Sequence, residues 1–171
     1  MQILSLTKPP SGKEVQEMHC INQENIPEVG NVSEIEDFKV LVNWSEHIFV
    51  YKSKEVIKAF VLCMREGNSY HSENYKYLSK LFPKFLYVDR IAVQENFRRK
   101  GIAKKIYSKV ISTGKDINLD ILCEVNTRPS NEPSLVFHEK MGFEEVGNND
   151  FEKNSVVYLR RPYIKNKVNF L

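Results

Sequence analysis

The segment ENFRRKGIAKK, residues 95–105, has the composition of a loop that binds a phosphate group. It lies between an apolar run, YVDRIAV, and an amphipathic run, so a strand, a loop and a helix should follow one another. A helix N-terminus exposes unpaired N–H groups and the positive end of the helix dipole, which favour anions. Gly101 would let an anion approach the backbone closely. From the residues alone, a basic turn relaxed by this glycine remains the alternative.

Two carboxylates, Asp89 and Glu124, stand in otherwise apolar strands and are candidate bases. A buried carboxylate needs a partner, and its pKa rises when water is excluded. Each also has a structural interpretation, in which Asp89 forms a salt bridge with an arginine of a neighbouring element and Glu124 hydrogen-bonds a loop. Arg90 follows Asp89 directly, and a regular strand would place these two side chains on opposite faces.

The composition is that of an ordinary globular protein with one domain's length, 171 residues. A net charge of +3 is small for a protein that binds a nucleic-acid duplex and is compatible with an anionic small ligand. Three widely spaced cysteines (Cys20, Cys63 and Cys123) indicate reduced thiols in a cytoplasmic protein. The sequence has no apolar run of bilayer length and no metal-ligand spacing, and a secretory signal is not expected.

The first half of the chain predicts an N-terminal arm or first strand, a helix, a second helix and a hairpin. These predictions cover residues 1–12, 13–25, 33 onward and 47–66 in that order. The tetrapeptide SEIE has the spacing of a capping box, so Ser33 should cap the second helix. Residues 70–83 are polar and aromatic and have no clear pattern.

The second half predicts a strand–helix–strand–helix unit and two final strands. The first strand, KFLYVDRIAV, is mostly apolar and should be buried on both faces. The next elements are a helix after Gly101, a strand over 118–125, a helix over 133–141, strands over 143–147 and 154–163, and a tail over 162–171. The order indicates an α/β or α+β sheet that is covered on both faces.

Two motifs of the chain resemble the GNAT N-acetyltransferase superfamily. The family's acyl-CoA loop has the form [Q/R]-x-x-G-x-[G/A], and Arg98, Gly101 and Ala103 occupy its three defined positions. The segment NEPSLVFHEKMGF is similar to the family's N-x-x-[A/S]-x-x-x-Y-E-K-x-G-F helix and turn. Its matching residues are Asn131, Phe137, Glu139, Lys140, Gly142 and Phe143. Four other segments resemble those of a poorly characterised bacterial branch of predicted acetyltransferases. They are YHSENY, FLYVDR, CEVN and VVYLRR.

The resemblance implies one domain over 1–171, with a mostly antiparallel sheet of six to seven strands and helices on both faces. It also implies a V-shaped splay between the fourth and fifth strands that holds acetyl-CoA. The pyrophosphate would lie on the backbone N–H groups of the loop, and pantetheine would pair with the strand edge. The cofactor-binding residues that it implies are Ile91, Ala92, Val93, Arg98, Arg99, Lys100, Gly101, Ile102, Ala103, Lys104, Asn131, Ser134 and Phe137.

The reaction implied by the resemblance is direct attack of a neutral amine on the thioester. A base, Asp89 or Glu124, would take the amine proton, and a backbone N–H near Val93 would stabilise the oxyanion. The departing thiolate needs a proton donor. The family often has tyrosine where this chain has His138, and imidazolium, with a reference pKa of about 6.5, is a competent acid.

The identity of the donor is open at this point. His138 either replaces the tyrosine as the acid, contacts the cofactor, or packs on the sheet. Tyr87 or a tyrosine of residues 70–77 is another candidate donor. No metal is expected to take part.

The acceptor pocket should come from the first helix region and the segment before the fourth strand. Its candidate residues are Tyr70, Ser72, Asn74, Tyr75 and Tyr77, with Asn22 and Glu24 as further candidates. A base-stacking surface would have a similar composition, and so would a helix whose tyrosines pack inward.

These observations favour an acetyl-CoA-dependent N-acetyltransferase that acts on a primary amine of a small molecule or peptide. Because family members often form dimers, a homodimer is an expected assembly, without nucleic-acid or membrane partners. Two alternatives stay open, an acyl-CoA-binding module without turnover and a nucleic-acid-binding domain that uses RRKGIAKK.

Overall fold

A computed structural model describes residues 2–163, which build one seven-stranded sheet in the order β1-β2-β3-β4-β5-β7-β6. All neighbouring strands are antiparallel except β4 and β5, which are parallel. The strands are β1 Ile3–Ser5, β2 Ser45–Ser53, β3 Val56–Arg65, β4 Leu86–Val93, β5 Ile121–Arg128, β6 Glu144–Asp150 and β7 Ser155–Arg161. The predicted mixed, mostly antiparallel sheet is confirmed, and part of residues 1–12 forms its first strand. The predicted tail over 162–171 lies almost wholly outside the described residues.

Five α-helices connect these strands. They are α1 Gly12–Gln23, α2 Ile35–Trp44, α3 Glu73–Leu81, α4 Ile102–Asp116 and α5 Glu132–Lys140. The segment without a clear sequence pattern contains α3, which begins after Ser72 because the Ser72 side chain accepts a hydrogen bond from the third helical N–H.

The prediction that Ser33 caps the second helix is wrong. Glu34 occupies the cap position of α2, and within residues 2–163 no side chain caps it. A capping box exists instead at α1, where Ser11 and Glu14 exchange hydrogen bonds. Ser11 also follows the PP pair, which cannot continue a helix, so the chain enters α1 there.

The helices cover both faces of the sheet, as predicted, and enclose two separate cores. On one face Met18, Phe38 and Leu78 bring α1, α2 and α3 onto the strands. On the other face Ile106 and Val110 anchor α4. All five side chains are completely buried, and each such burial stabilises the fold by about 1.5–3 kcal/mol.

The predicted splay lies between β4 and β5. Their pairing is restricted to Leu86 with Ile121 and Tyr87 with Leu122. Beyond that point β4 continues to Val93 without a ladder to β5. The two strands therefore diverge and leave a V-shaped opening in the middle of the sheet.

A β-bulge lies in β4 where the opening begins. Leu62 of β3 faces Arg90, but the next residue, Cys63, faces Val88, so Asp89 is the extra residue of β4. A bulge bends its strand and increases the local twist, which helps β4 to turn away from β5.

The bulge also changes the direction of the side chains that follow it. Tyr87 and Ala92 are five residues apart, and regular alternation would place them on opposite faces. Both nevertheless belong to the core under α1, α2 and α3. Asp89 and Arg90 are thereby able to point to the same side.

Gly147 of β6 is held against an aromatic stack. The rings of Tyr77 and Tyr158 lie 4.2 Å apart. A Cβ atom on residue 147 would lie 2.5 Å from the Tyr77 hydroxyl oxygen, so the stack leaves no room for a side chain.

We therefore expect Gly147→Ala to lower the free energy of unfolding by about 1–3 kcal/mol in urea denaturation. The cost should shrink in a Tyr77→Phe background, because that change removes the blocking oxygen. Gly30→Ala is the matched control, since a Cβ there meets nothing within 4 Å. An undiminished cost in the Tyr77→Phe background would show that this contact is not the cause.

Candidate active site

A cavity of about 530 Å³ occupies the opening between β4 and β5. Asp89 and Arg90 of β4 line one wall, and Glu124 of β5 lines the other. The loop between α1 and α2, the start of α3 and the first turns of α5 close its sides. Both candidate bases therefore meet in one cavity.

Glu124 is held by neutral hydrogen-bond donors from other elements. Tyr87 Oη donates to Oε2 at 2.7 Å, and Asn74 Nδ2 donates to Oε1 at 3.1 Å. Tyr158 in turn donates to Asn74 Oδ1 at 3.0 Å. Burial raises the pKa of Glu124 to about 7, although the Tyr87 hydrogen bond opposes the shift. A carboxyl group that titrates near neutrality and faces a cavity is able to accept a proton from a ligand.

Asp89 has a different environment because Arg90 neutralises it. Arg90 Nε donates to Asp89 Oδ2 at 2.6 Å, and the two side chains are only 7% and 3% exposed. The expectation that Arg90 points to the opposite face is wrong, since the bulge turns both side chains to one side. Arg90 Nη1 also donates to Asn22 Oδ1 and to the Gly30 carbonyl.

The structure divides the residues predicted for acceptor binding into two groups. Tyr70, Ser72 and Asn74 line the cavity. Burial and the neighbouring Asp89 carboxylate raise the pKa of Tyr70, so its hydroxyl stays protonated.

The other predicted acceptor residues lie outside the cavity lining. Tyr75 is buried and donates to the Arg65 carbonyl at 2.6 Å, and Tyr77 stacks on Tyr158. Asn22 is buried between Arg90 and the α1–α2 loop. The sequence did not predict which of these side chains line the cavity, because successive side chains of α3 point in different directions.

His138 is buried in the cavity wall and both of its ring nitrogens have protein partners. Nδ1 lies 2.8 Å from the Ser134 carbonyl oxygen, and Nε2 lies 2.6 Å from the Tyr107 hydroxyl oxygen. Burial lowers the pKa of His138. Tyr107 was not among the residues predicted for the site, because no sequence signal linked it to His138.

A groove of about 400 Å³ lies at the N-terminus of α4. Gly101 there has φ 73°, and among residues 2–163 no side chain caps the helix, so its first N–H groups remain open to a ligand. This left-handed conformation explains the glycine, because a Cβ at that position would be strained without touching another atom. The groove is lined by Val93, Phe97, Arg98, Arg99, Gly101, Ile102, Ala103, Lys104, Phe137, Lys140 and Met141.

Most residues predicted to bind the cofactor line one of these two spaces. Ile91, Asn131 and Ser134 line the cavity in the opening. Two predicted residues are outside both linings, Ala92 in the core and Lys100 above the Phe97 ring. The strand β4 connects the two spaces, since its end lines the groove.

Arg98 ties the α1–α2 loop to β4. Its guanidinium donates to the Val93 carbonyl at 3.2 Å and to Asn25 Oδ1 at 3.0 Å. Asn25 Nδ2 also donates to the Val93 carbonyl at 3.3 Å. The side chain thus positions a wall of the cavity, in addition to carrying charge beside the groove.

The family model that describes the acetyltransferase (GNAT) family matches residues 14–143. The chain belongs to the GNAT family. No match was found among curated proteins. The family assignment explains the parallel β4–β5 pair and the opening beside it, and the protein is accordingly an acyltransferase.

Solved GNAT structures share the fold over almost the whole length. The ribosomal-protein-S18-alanine N-acetyltransferase from Escherichia coli is 14% identical, with a TM-score of 0.70 and 99% of each chain covered. NAA60 from Arabidopsis thaliana, in complex with a bisubstrate analogue, is 17% identical, with a TM-score of 0.69 and 95% of this chain and 98% of that chain covered. The matching chain of the NatC complex bound to Gag peptide and CoA is 17% identical, with a TM-score of 0.70. The match covers 96% of this chain and 100% of that chain. At these identities the likeness shows the fold alone.

Two further findings concern residues 2–163 of this GNAT protein. In that range no group of three His, Cys, Asp or Glu side chains is arranged to hold a metal ion. No helix in that range has the length and apolarity to cross a membrane.

The buried Asp89–Arg90 pair should contribute strongly to stability. Asp89→Asn would leave a buried guanidinium without its counter-charge, so we expect a loss of about 3–5 kcal/mol in urea unfolding. Asp120→Asn is the matched control, because its ion pair with Arg160 is partly exposed and is expected to contribute about 0.2–1 kcal/mol. Equal losses in the two variants would contradict the structural role of the Asp89 pair.

Proposed function

We propose that the protein, as one domain over 1–171, is an acetyl-CoA-dependent N-acetyltransferase of a primary amine in a small molecule or peptide. One observation gives this proposal its main support. Glu124, whose pKa is about 7, faces an opening along which the edge of β4 that is not paired with β5 leads to an open helix N-terminus. A base and an anion-binding groove are therefore joined by a strand edge that can pair with a peptide-like ligand.

The residues present fit the cofactor. The N–H groups of residues 99–103 would hold its pyrophosphate. The edge of β4 over residues 91–93 would pair with pantetheine, apart from the Val93 carbonyl, to which Arg98 and Asn25 already donate. Asn131, Ser134 and Phe137 would complete the binding surface. Bound acetyl-CoA supplies the acetyl thioester that the acceptor attacks.

Glu124 is the base in this proposal. An amine enters mostly as ammonium and must lose a proton before it attacks, and Glu124 can take that proton near neutral pH. Tyr87 and Asn74 fix the orientation of the carboxylate. Asp89 serves instead as a structural ion pair that keeps Arg90 in place.

The acceptor would enter between α3 and the α1–α2 loop. Tyr70, Ser72 and Asn74 offer hydroxyl and amide groups on one side, and Glu28 offers a carboxylate on the other. Both a small amine and a peptide amine are compatible with such a polar wall. The relative from Escherichia coli is named for an alanine of a ribosomal protein, which supports the inclusion of peptide amines.

Calorimetric titration tests the cofactor site. Acetyl-CoA should bind the native protein, and Gly101→Glu should weaken binding more than about tenfold, because it brings negative charge to the anion site and strains the loop. Gly12→Glu is the matched control, since it places the same charge at the N-terminus of α1. Equal affinities of the two variants would contradict a pyrophosphate site at α4.

The base is tested by the pH dependence of acetyl transfer to a panel of primary amines and peptides. For the native protein kcat/KM should rise with pH through about 7, because Glu124 acts only as the carboxylate. Glu124→Gln should lower kcat/KM by about 10²–10⁴-fold and remove this rise.

The fold of Glu124→Gln should be intact. The pKa of Glu124 is raised from 4.5 to about 7 on folding, so stability is lost as the pH rises from about 4.5 to about 7, and the loss is complete above pH 7. The amide of glutamine does not ionise and avoids this loss. Glutamine keeps one acceptor oxygen but presents an N–H group to the second donor, which offsets part of this gain, so we expect a stability close to that of the native protein at pH 8. An unchanged pH profile in Glu124→Gln would exclude Glu124 as the base.

A further inference from the structure

Tyr107 and His138 form a hydrogen-bonded pair in the cavity wall that the proposed base does not involve. Tyr107 comes from α4 and His138 from α5, and their oxygen and Nε2 atoms are 2.6 Å apart. Both residues line the same cavity as Glu124, yet they are only 1% and 4% exposed. The pair therefore faces the opening while it is shielded from bulk water.

The partners of the pair define where its protons lie. The Ser134 carbonyl can only accept, so His138 Nδ1 carries a hydrogen and donates to it. Burial lowers the pKa of His138 and so favours the neutral imidazole, in which Nε2 accepts from the Tyr107 hydroxyl. The Tyr107 oxygen donates its single proton to His138. The buried thiol of Cys123 also contacts this hydroxyl, and a further lone pair of the oxygen can accept another proton.

Acetyl transfer to an amine moves two protons. Glu124 takes the first from the ammonium group, and this proton is released to solvent. After the amine attacks, its nitrogen carries a second proton that it must lose, while the departing sulfur must gain one. A group that takes this proton and returns it would complete the reaction without exchange with solvent.

We propose, on the basis of the proposed function, that Tyr107 carries this second proton from the acceptor nitrogen to the sulfur, with His138 as its temporary store. In the first step the nitrogen gives its proton to the Tyr107 oxygen, while the Tyr107 O–H proton passes to His138 Nε2. In the second step Nε2 returns a proton to Tyr107, and Tyr107 gives its own to the sulfur as the C–S bond breaks. The pair ends in its starting state, and tyrosine is neutral in both steps.

The packing of the pair supports such a transfer. Phe137 and Phe143 contact both Tyr107 and His138 edge to face, with ring centroids 5.1–5.7 Å apart. The surrounding rings hold the oxygen and Nε2 in line and exclude water that would otherwise take the proton. This arrangement also explains how the chain functions with histidine at position 138, because the hydroxyl group comes from α4.

The test compares Tyr107→Phe and His138→Gln with the native protein. Glutamine accepts a hydrogen bond from Tyr107 but cannot store a proton. With an accepted amine, kcat should fall about 10²–10⁴-fold in each variant, while the Kd for acetyl-CoA changes by less than about twofold. Tyr51→Phe, which removes a hydroxyl from β2, is the control and should keep native kcat. Thermal unfolding by circular dichroism verifies that each variant folds.

The solvent isotope effect separates proton transfer from a structural role. Rates in mixtures of H₂O and D₂O should give a curved proton inventory for the native protein, because more than one proton moves, and a linear one for Tyr107→Phe. Native kcat in Tyr107→Phe or in His138→Gln would overturn the shuttle alone. Absence of turnover by the native protein with bound acetyl-CoA would instead overturn the proposed function and the shuttle together.

Discussion

The missing pairing between β4 and β5 is the constraint on which the rest of the site depends. Two strands that start as a parallel pair share only two residue pairs and then diverge. The bulge at Asp89 bends β4, and the buried ion pair with Arg90 occupies the side-chain positions that the bulge creates. Because Arg90 also holds Asn22 and Gly30, the same contacts position the loop that closes the cavity.

Two carboxylates in one cavity have different chemistry because their partners differ. Asp89 has a cation as its partner, while Glu124 has a phenol and an amide. Without a full counter-charge, burial dominates at Glu124 and raises its pKa to about 7. The same sheet thus contains one carboxylate that is held in a buried ion pair and one carboxyl group that can gain and lose a proton near neutral pH.

Apolar runs and local patterns were sufficient for most of the element order and for the helix N-terminus after Gly101, while the mostly antiparallel sheet and its splay were implied by the resemblance to the GNAT superfamily. Other features depend on contacts between distant elements. The bulge is invisible in YVDRIAV, since it depends on the register with β3, and Arg90 was therefore placed on the wrong face. Tyr107 was not predicted for the site because its partner, His138, is 31 positions away on another helix. Ser33 matched the capping pattern, but Glu34 precedes the helix.

Amide hydrogen exchange of the native protein with and without acetyl-CoA tests most directly whether the cofactor enters the opening. Acetyl-CoA should slow exchange in two segments, residues 88–93 and the first turn of α4, because N–H groups there acquire acceptors. Exchange in the β6–β7 hairpin should not change. If acetyl-CoA binds but exchange in residues 88–93 does not slow, the cofactor lies elsewhere, and binding in the opening between β4 and β5 is contradicted.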